Sequence, residues 1–364
     1  MDVVRGRVDR LAAFAHHNIL WLLVVAYILA ALAPGPGLWL RSVDLSMVAG
    51  SSMPRISLPA VLLGFLLFNA GLGIHAHQLL QLARRPLLLI VGVLATILLP
   101  VVFILGTAET MQLWHNPREV QEILVGLALI ASMPVAGSAT AWAQNADGNL
   151  ALSVGLVVLS TCVSPLTTPI VLHTVGWMAD GTYAASLHEL AGGNIGGFLG
   201  LYVLAPSVGG IAIRAILDEG RLQRIRPQLK LAATAVLLIL CYANAAIALP
   251  KVVQEPDWDY LAVMLVIVVA MCVAGFVAGG LIGMTARADH GQRASLMFGL
   301  GMTNNGTGLV IAAGALAHIP AVMLPIIFYN LVQHVIAGSV DRYWLGGVVN
   351  IPPSQCESEV AKAA

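Results

Sequence analysis

The sequence predicts an all-α membrane protein of ten transmembrane helices, and three observations carry that prediction. Of 364 residues, 59% are hydrophobic and only 10% are charged, where a soluble chain carries roughly 25% charged residues. Ten apolar segments approach the length of about 20 residues that a spanning helix needs. The basic residues, finally, sort by side of the membrane once those ten segments are drawn.

The segments fall near 12–33, 57–75, 86–106, 120–143, 150–176, 193–216, 230–249, 260–284, 295–316 and 320–344. The first follows Arg5, Arg7 and Arg10 and could pass for a signal peptide. Its apolar stretch is longer than an h-region of about 7–15 residues, so it reads as the first spanning helix. With a cytoplasmic N-terminus, 14 of the 18 Lys and Arg lie inside; Arg41, Arg55, Arg118 and Lys251 lie outside. Such a bias is the positive-inside rule, and it places both termini in the cytoplasm. Trp39, Trp114, Trp177, Trp258 and Trp344 sit at or just beyond segment ends, where interfacial belts form. The expected location is the cell (inner) membrane.

Five segments precede Met178 and five follow it. If the halves share a fold, an odd number of helices turns the second upside down, giving two inverted five-helix repeats. Residues 1–364 therefore read as a single transmembrane domain. Repeat one covers about 10–177, repeat two about 193–345, and a polar tail 346–364. The linker 178–194 carries Asp180, Gly181, His188 and Glu189, and its stretch 187–190 is expected along the interface. The other long connection is the outer loop 35–57. Cys162, Cys241, Cys272 and Cys356 have no CxxC spacing, so neither a disulfide framework nor a zinc site follows.

The fourth and ninth segments break in the middle, at 133–140 (MPVAGSAT) and 303–308 (TNNGTG). Backbone leaves the helical ladder at membrane depth only where protein or a water-filled cavity satisfies it. Paired breaks in the two halves of a transporter point to the binding site. At the first break Pro134 removes an intrahelical hydrogen bond, beside Ser132, Ser138, Thr140, Gln144 and Asn145. A kinked packing helix and a binding site are both consistent with it. The second break places Thr303, Asn304, Asn305 and Thr307 among glycines. An unwound turn there lets both carboxamides converge and frees carbonyls to coordinate a cation. Helix–helix hydrogen bonding is the other reading.

None of the 18 acidic residues falls near the centre of an apolar segment, although embedded carboxylates commonly relay protons or pair with cations in transporters. His334 is the titratable group left for such a relay, or it is a neutral packing residue. His173 lies near the interface. No HExxH, GxSxG or P-loop pattern is present, so an enzyme is not expected. Nothing points to nucleic acid.

At these same residues the sequence resembles the bile acid:sodium symporter family. The stretch 133–169, MPVAGSATAWAQNADGNLALSVGLVVLSTCVSPLTTP, is similar to that family's MPGGTASN, short polar spacer, VALS and Ser-Pro-Leu-Leu-Thr-Pro. Asn69-Ala70-Gly71-Leu72-Gly73-Ile74, with Arg84-Arg85-Pro86 after it, looks like its MGL-x-L turn. Gly301-Met302-Thr303-Asn304-Asn305-Gly306 resembles its Gly-Met-Gln-Asn-Ser-Gly. Gln333-His334 with Gly338-Ser339 resembles its Trp-His-Asn-Leu-Ser-Gly-Ser.

The resemblance implies a panel domain (helices 1, 2, 6 and 7), a core domain (3–5 and 8–10), and helices 4 and 9 crossing where they unwind. It implies transport of organic anions such as bile acids, or other carboxylates, driven by two sodium ions. The chain departs from the family at the sodium ligands. The fourth-helix Ser-Asn pair corresponds to Ala139 and Thr140, a later Ser is kept as Ser153, and the following Thr becomes Val157. The ninth-helix Glu shared by both sodium sites corresponds to Gly299, the next Gln to Thr303, and the third-helix Gln to Ala95 or Thr96.

The expectation is a secondary transporter of a small organic anion or amphipathic solute, working by alternating access in the lipid bilayer. Its substrate site would draw on Ser138, Thr140, Asn304, Asn305, Thr307 and His334. A coupling ion, Na⁺ or H⁺, would use Thr140, Ser153 and Thr303; no other cofactor is expected. The alternative is an uncoupled facilitator, or a membrane solute-binding or sensing protein on the same fold.

Overall fold

A computed structural model describes residues 18–44, 57–74, 86–217 and 219–345, with Leu11, Phe14 and Ala15. Arg5, Arg7, Arg10, Arg55, Arg84, Arg85, Cys356 and the polar tail lie outside the described residues. The described part is all-α, and its only β features are the isolated bridges Asp44–Ser57 and Val135–Thr303.

The helices are α1 (Ile19–Leu32), α2 (Gly35–Ser42), α3 (Leu58–Leu72), α4 (Pro86–Met111), α5 (Pro117–Ser132) and α6 (Ser138–Asn145). Then come α7 (Leu150–Gly176), α8 (Gly181–Gly192), α9 (Ile195–Leu199), and α10 (Ala205–Ile216), joined to α9 by a π-turn at Gly200–Leu204. The rest are α11 (Glu219–Ala245), α12 (Leu249–Gln254), α13 (Trp258–Thr285), α14 (His290–Gly301), α15 (Asn305–Ala315) and α16 (Leu324–Ser339). Among the described residues, six helical stretches are long and apolar enough to cross a membrane, or seven if the bent pair α1–α2 is one span. The remaining predicted segments are short or interrupted: α3 has 15 residues, and the fourth and ninth divide into α5–α6 and α14–α15.

Three boundaries differ from the sequence reading, each for a local reason. The linker 178–194 is a helix, α8, whose Leu187 and Ala191 are buried four residues apart; that spacing puts them on one face. The basic stretch before residue 230 is not a loop, because α11 starts at Glu219. Its Arg, Leu, Gln and Lys are good helix formers, and they carry the helix through Pro227. The outer connection begins with a helix, α2, turned 92° from α1 beyond Pro34 and Gly35.

The exterior is apolar: Trp21, Leu32, Leu87, Val102, Leu166 and Val266 are each more than 60% exposed. Buried polar groups lie inside, as a hydrocarbon solvent demands. At the centre runs α5, buried from Glu119 to Ser132. Its N-terminal acids are held at one end of the bundle. Glu119 accepts from Trp114 Nε1 at 2.7 Å, and Glu122 accepts from Arg118 Nε and from the Tyr183 hydroxyl, each at 3.3 Å.

The helices gather into two groups. One joins α1, α3, α10 and α11; the other joins α4, α5, α7, α13, α14 and α16. Glycines set the tightest contacts. A Cβ on Gly71 would lie 2.2 Å from the Ser207 carbonyl oxygen, and one on Gly210 would lie 2.1 Å from that of Phe68, so α3 and α10 touch backbone to backbone. In α13, Gly275 and Gly279 do the same against α14, where a Cβ would meet Leu300 O at 2.6 Å and Leu296 O at 2.5 Å. Lipid supplies no hydrophobic drive between helices, so such close approach replaces it.

Because the obstacle at Gly210 is backbone, it cannot move aside. Gly210→Ala is expected to cost about 1–3 kcal/mol and lower the unfolding midpoint in detergent. Gly209→Ala, whose Cβ would have 3.9 Å of room, should leave it unchanged; equal midpoints for the two variants refute the close-contact account.

Candidate functional site at the helix crossing

Two chain segments leave the helix at the same place and meet. The last residue of α5 is Ser132 and α6 begins at Ser138; α14 ends at Gly301 and α15 begins at Asn305. Between them Val135 and Thr303 form an antiparallel bridge. The Ala136 N–H donates to the Met302 carbonyl at 3.0 Å, and the Asn304 N–H donates to the Pro134 carbonyl at 2.9 Å.

Side chains complete the pairing. The Val135 N–H donates to Ser160 Oγ of α7 at 3.1 Å, and the Thr303 N–H to Gln333 Oε1 of α16 at 3.1 Å. The Ser132 carbonyl accepts from Thr168 Oγ1 at 2.6 Å, and the Gly301 carbonyl from the Tyr329 hydroxyl at 3.3 Å. Thr303 O takes the Asn305 N–H at 2.9 Å and Asn305 Nδ2 at 3.2 Å. The carbonyls expected to be free for a cation are thus engaged by protein donors.

The predicted site residues divide accordingly. Asn304 is half-buried, and its Oδ1 caps α15 by accepting the Thr307 N–H at 3.3 Å. It also lines a cleft with Val135, Gly137, Thr161 and Cys162 on one side and α3 and α10 on the other, including Ala70 and Ser207. The cleft lies between the two helix groups, and its cavity of about 40 Å³ has room for little more than water. Ser138, Thr140, Thr303, Asn305, Thr307, His334 and Ser153 do not line it. Asn305 turns back onto Thr303, while Ser138, Thr140 and His334 are half-buried. The hydroxyls of Ser153 and Thr307 and the Nδ1 of His334 are buried without a hydrogen-bond partner.

Sequence reasoning missed Ser160, Thr168 and Gln333. Gln333 Nε2 continues to Asn330 Oδ1 at 3.4 Å, and Asn330 Nδ2 reaches the Tyr27 hydroxyl of α1 at 2.8 Å. A polar chain therefore runs from the crossing into the other helix group. A buried carboxamide pair three residues apart on an apolar segment was the available signal.

Where the resemblance places the shared carboxylate, the structure has packing. A Cβ on Gly299 would lie 2.6 Å from Leu156 Cδ1, and one on Gly92 would lie 2.7 Å from Leu156 Cδ2. Leu156 fills that space.

The comparison with known proteins agrees with this architecture. The model of the sodium bile acid symporter family matches residues 60–255, more than half of the chain. The chain belongs to that family. Over 319 residues it is 24% identical to the uncharacterized sodium-dependent transporter YocS of Bacillus subtilis (strain 168), covering 85% of this chain and 90% of that protein. It is also 24% identical over 215 residues to the uncharacterized protein YbaS of the same organism, covering 59% of this chain and 66% of that protein. With its apolar helices, membership makes the chain an integral membrane protein and a secondary transporter.

The Ser160 bond to Val135 gives a controlled test of the crossing. Ser160→Ala strands a buried N–H and is expected to cost about 1–3 kcal/mol in reversible unfolding. Ser164→Ala, whose hydroxyl bonds only its own helix at Thr161 O, should cost a few tenths, about what a surface change costs. Equal losses would show that the crossing does not depend on Ser160.

Proposed function

We propose that this protein moves a small organic anion or amphipathic solute across the cell membrane by alternating access. In this reading α5–α6 and α14–α15 each count as one broken span. With α1, α3, α4, α7, α9–α10, α11, α13 and α16 they make ten spans in two inverted repeats. The group of α1, α3, α10 and α11 is the panel, the other group is the core, and both termini are cytoplasmic. The observation that carries the reading is the cleft between these groups, which reaches the crossing at Asn304.

The cleft is too small for a solute as it stands, so binding requires panel and core to part. Asn304 is then the polar group at its floor. Gly137, Thr161 and Cys162 line the same wall, and Ser138 and Thr140 flank it on α6. The N-terminal ends of α6 and α15 both face the crossing, and their partial positive charge, offset in large part by the carbonyl ends of α5 and α14, leaves a weak preference for an anion.

The coupling ion is a separate question. YocS is named as sodium-dependent. Here Gly299 and Leu156 leave no carboxylate, and Ser153, Thr140 and Thr303 are the oxygen donors nearest in sequence to the expected ligands. Leu156 is the specific observation that favours the second reading, an uncoupled facilitator or a solute-binding protein on the same fold.

Two measurements test these readings. Asn304→Ser keeps an acceptor for the α15 cap but removes the carboxamide. Uptake into proteoliposomes should fall tenfold or more with little change in thermal stability, and parental uptake would overturn the assignment of the cleft. Replacing external Na⁺ by K⁺ at fixed pH separates the coupling modes. Accumulation lost in K⁺ indicates sodium coupling, accumulation retained but dissipated by a protonophore indicates H⁺, and equilibration without accumulation identifies a facilitator.

A further inference from the structure

A second polar cluster lies away from the crossing, at the end of the bundle where α2 meets α11 and α15. Its core is Arg41, in the last turn of α2. The turn at Pro34–Gly35 lays α2 across the end of α11. Tyr242 donates its hydroxyl to the Ala33 carbonyl at 2.6 Å, and Gly37 sits so close that a Cβ would lie 2.9 Å from Ala246 Cβ.

Held this way, the Arg41 guanidinium donates to Asn244 Oδ1 of α11 and to the Ala313 carbonyl of α15. It therefore ties α11 to α15 through α2. Ala313 is among the last residues of α15, whose carbonyls have no intrahelical partner.

Both acceptors are neutral. The ion pairs among the described residues, His115–Asp259 and Arg118–Glu122, lie elsewhere. A guanidinium has five N–H donors, and these two bonds leave the others unassigned. Asn244 is 1% exposed, and while its Oδ1 accepts from Arg41 its Nδ2 is buried with no partner. A guanidinium whose two hydrogen-bond acceptors are both neutral and an orphaned amide donor thus stand side by side where α2, α11 and α15 meet. A buried donor left unpaired is costly, and an anionic acceptor would remove that cost with charge-assisted bonds.

We propose that Arg41 and Asn244 form an anion-binding site, taking the carboxylate or sulfonate head of an amphipathic solute at this end of the bundle. With the site empty, Arg41 clamps Ala313 and holds α2, α11 and α15 together. With an anion bound, the guanidinium exchanges the Ala313 carbonyl for a stronger acceptor, and the clamp is released. The role in solute entry rests on the transport reading above; the anion site itself does not.

The test uses the full chain in nanodiscs, with benzoate and cholate as probes and benzamide as the uncharged control. Benzoate and cholate should raise the unfolding midpoint while benzamide does not, and Arg41→Gln should weaken the response tenfold or more. Asn244→Asp separates binding from structure, because it keeps and charges the acceptor for Arg41 while removing the free donor. Its midpoint without probe should match or exceed the parent's, and its response to both anions should vanish. An Asn244→Asp variant that still responds, an Arg41→Gln variant that binds like the parent, or a parent that ignores both anions overturns the site. Anion binding through Arg41 without uptake would instead sink the transport reading and leave the site standing.

Discussion

Where α5 and α14 stop inside the bundle, each exposes helix-end groups that have no partner in their own helix. In hydrocarbon each such group costs several kcal/mol if left unpaired. The chain meets this constraint by bringing the two stops together. Residues 134–136 and 302–304 exchange backbone hydrogen bonds as a single antiparallel bridge, and Ser160, Thr168, Gln333 and Tyr329 take most of what remains. Four helices thereby end or begin at one place. The rest of the core is arranged around it, with α5 buried from Glu119 to Ser132 and α7 and α16 each sending two polar side chains inward.

That arrangement is electrically balanced. The carbonyl ends of α5 and α14 and the N–H ends of α6 and α15 converge on the same few residues, so their partial charges of opposite sign largely cancel. Full charges stay at the ends of the bundle: Glu119 and Glu122 with their donors at one, Arg287 and Arg293 about α14's start at the other. The crossing is consequently a neutral floor for a cleft, and Leu156 seals the place beside Gly299 with a side chain that no cation can use. Specificity for charge has to come from helix ends or from groups away from the crossing, and Arg41 with Asn244 is such a group.

The long apolar helices and both breaks were legible because the signals are local. Pro134 and Gly137, and Asn304 to Gly306, interrupt apolar runs that would otherwise be continuous. Less legible were elements whose stability comes from contacts. The helix α8 depends on Leu187 and Ala191 meeting α7, and the early start of α11 lies in a stretch whose charges suggested a loop. Of the residues named for the site, Asn304 reaches the cleft, while Asn305 spends its carboxamide on Thr303. Adjacent carboxamides read alike in one dimension; which of them faces a cavity depends on the backbone angle at the break.

By itself the sequence determined the solvent, the apolar helical character of the chain and the positions where two of its segments break, since composition and Pro or Gly chemistry act over a few residues. Only the tertiary structure decided how the failures are made good. The donors and acceptors that satisfy them, Ser160, Thr168, Gln333 and the opposite strand of the crossing, come from segments tens to more than a hundred residues away. No local pattern records that such groups will meet.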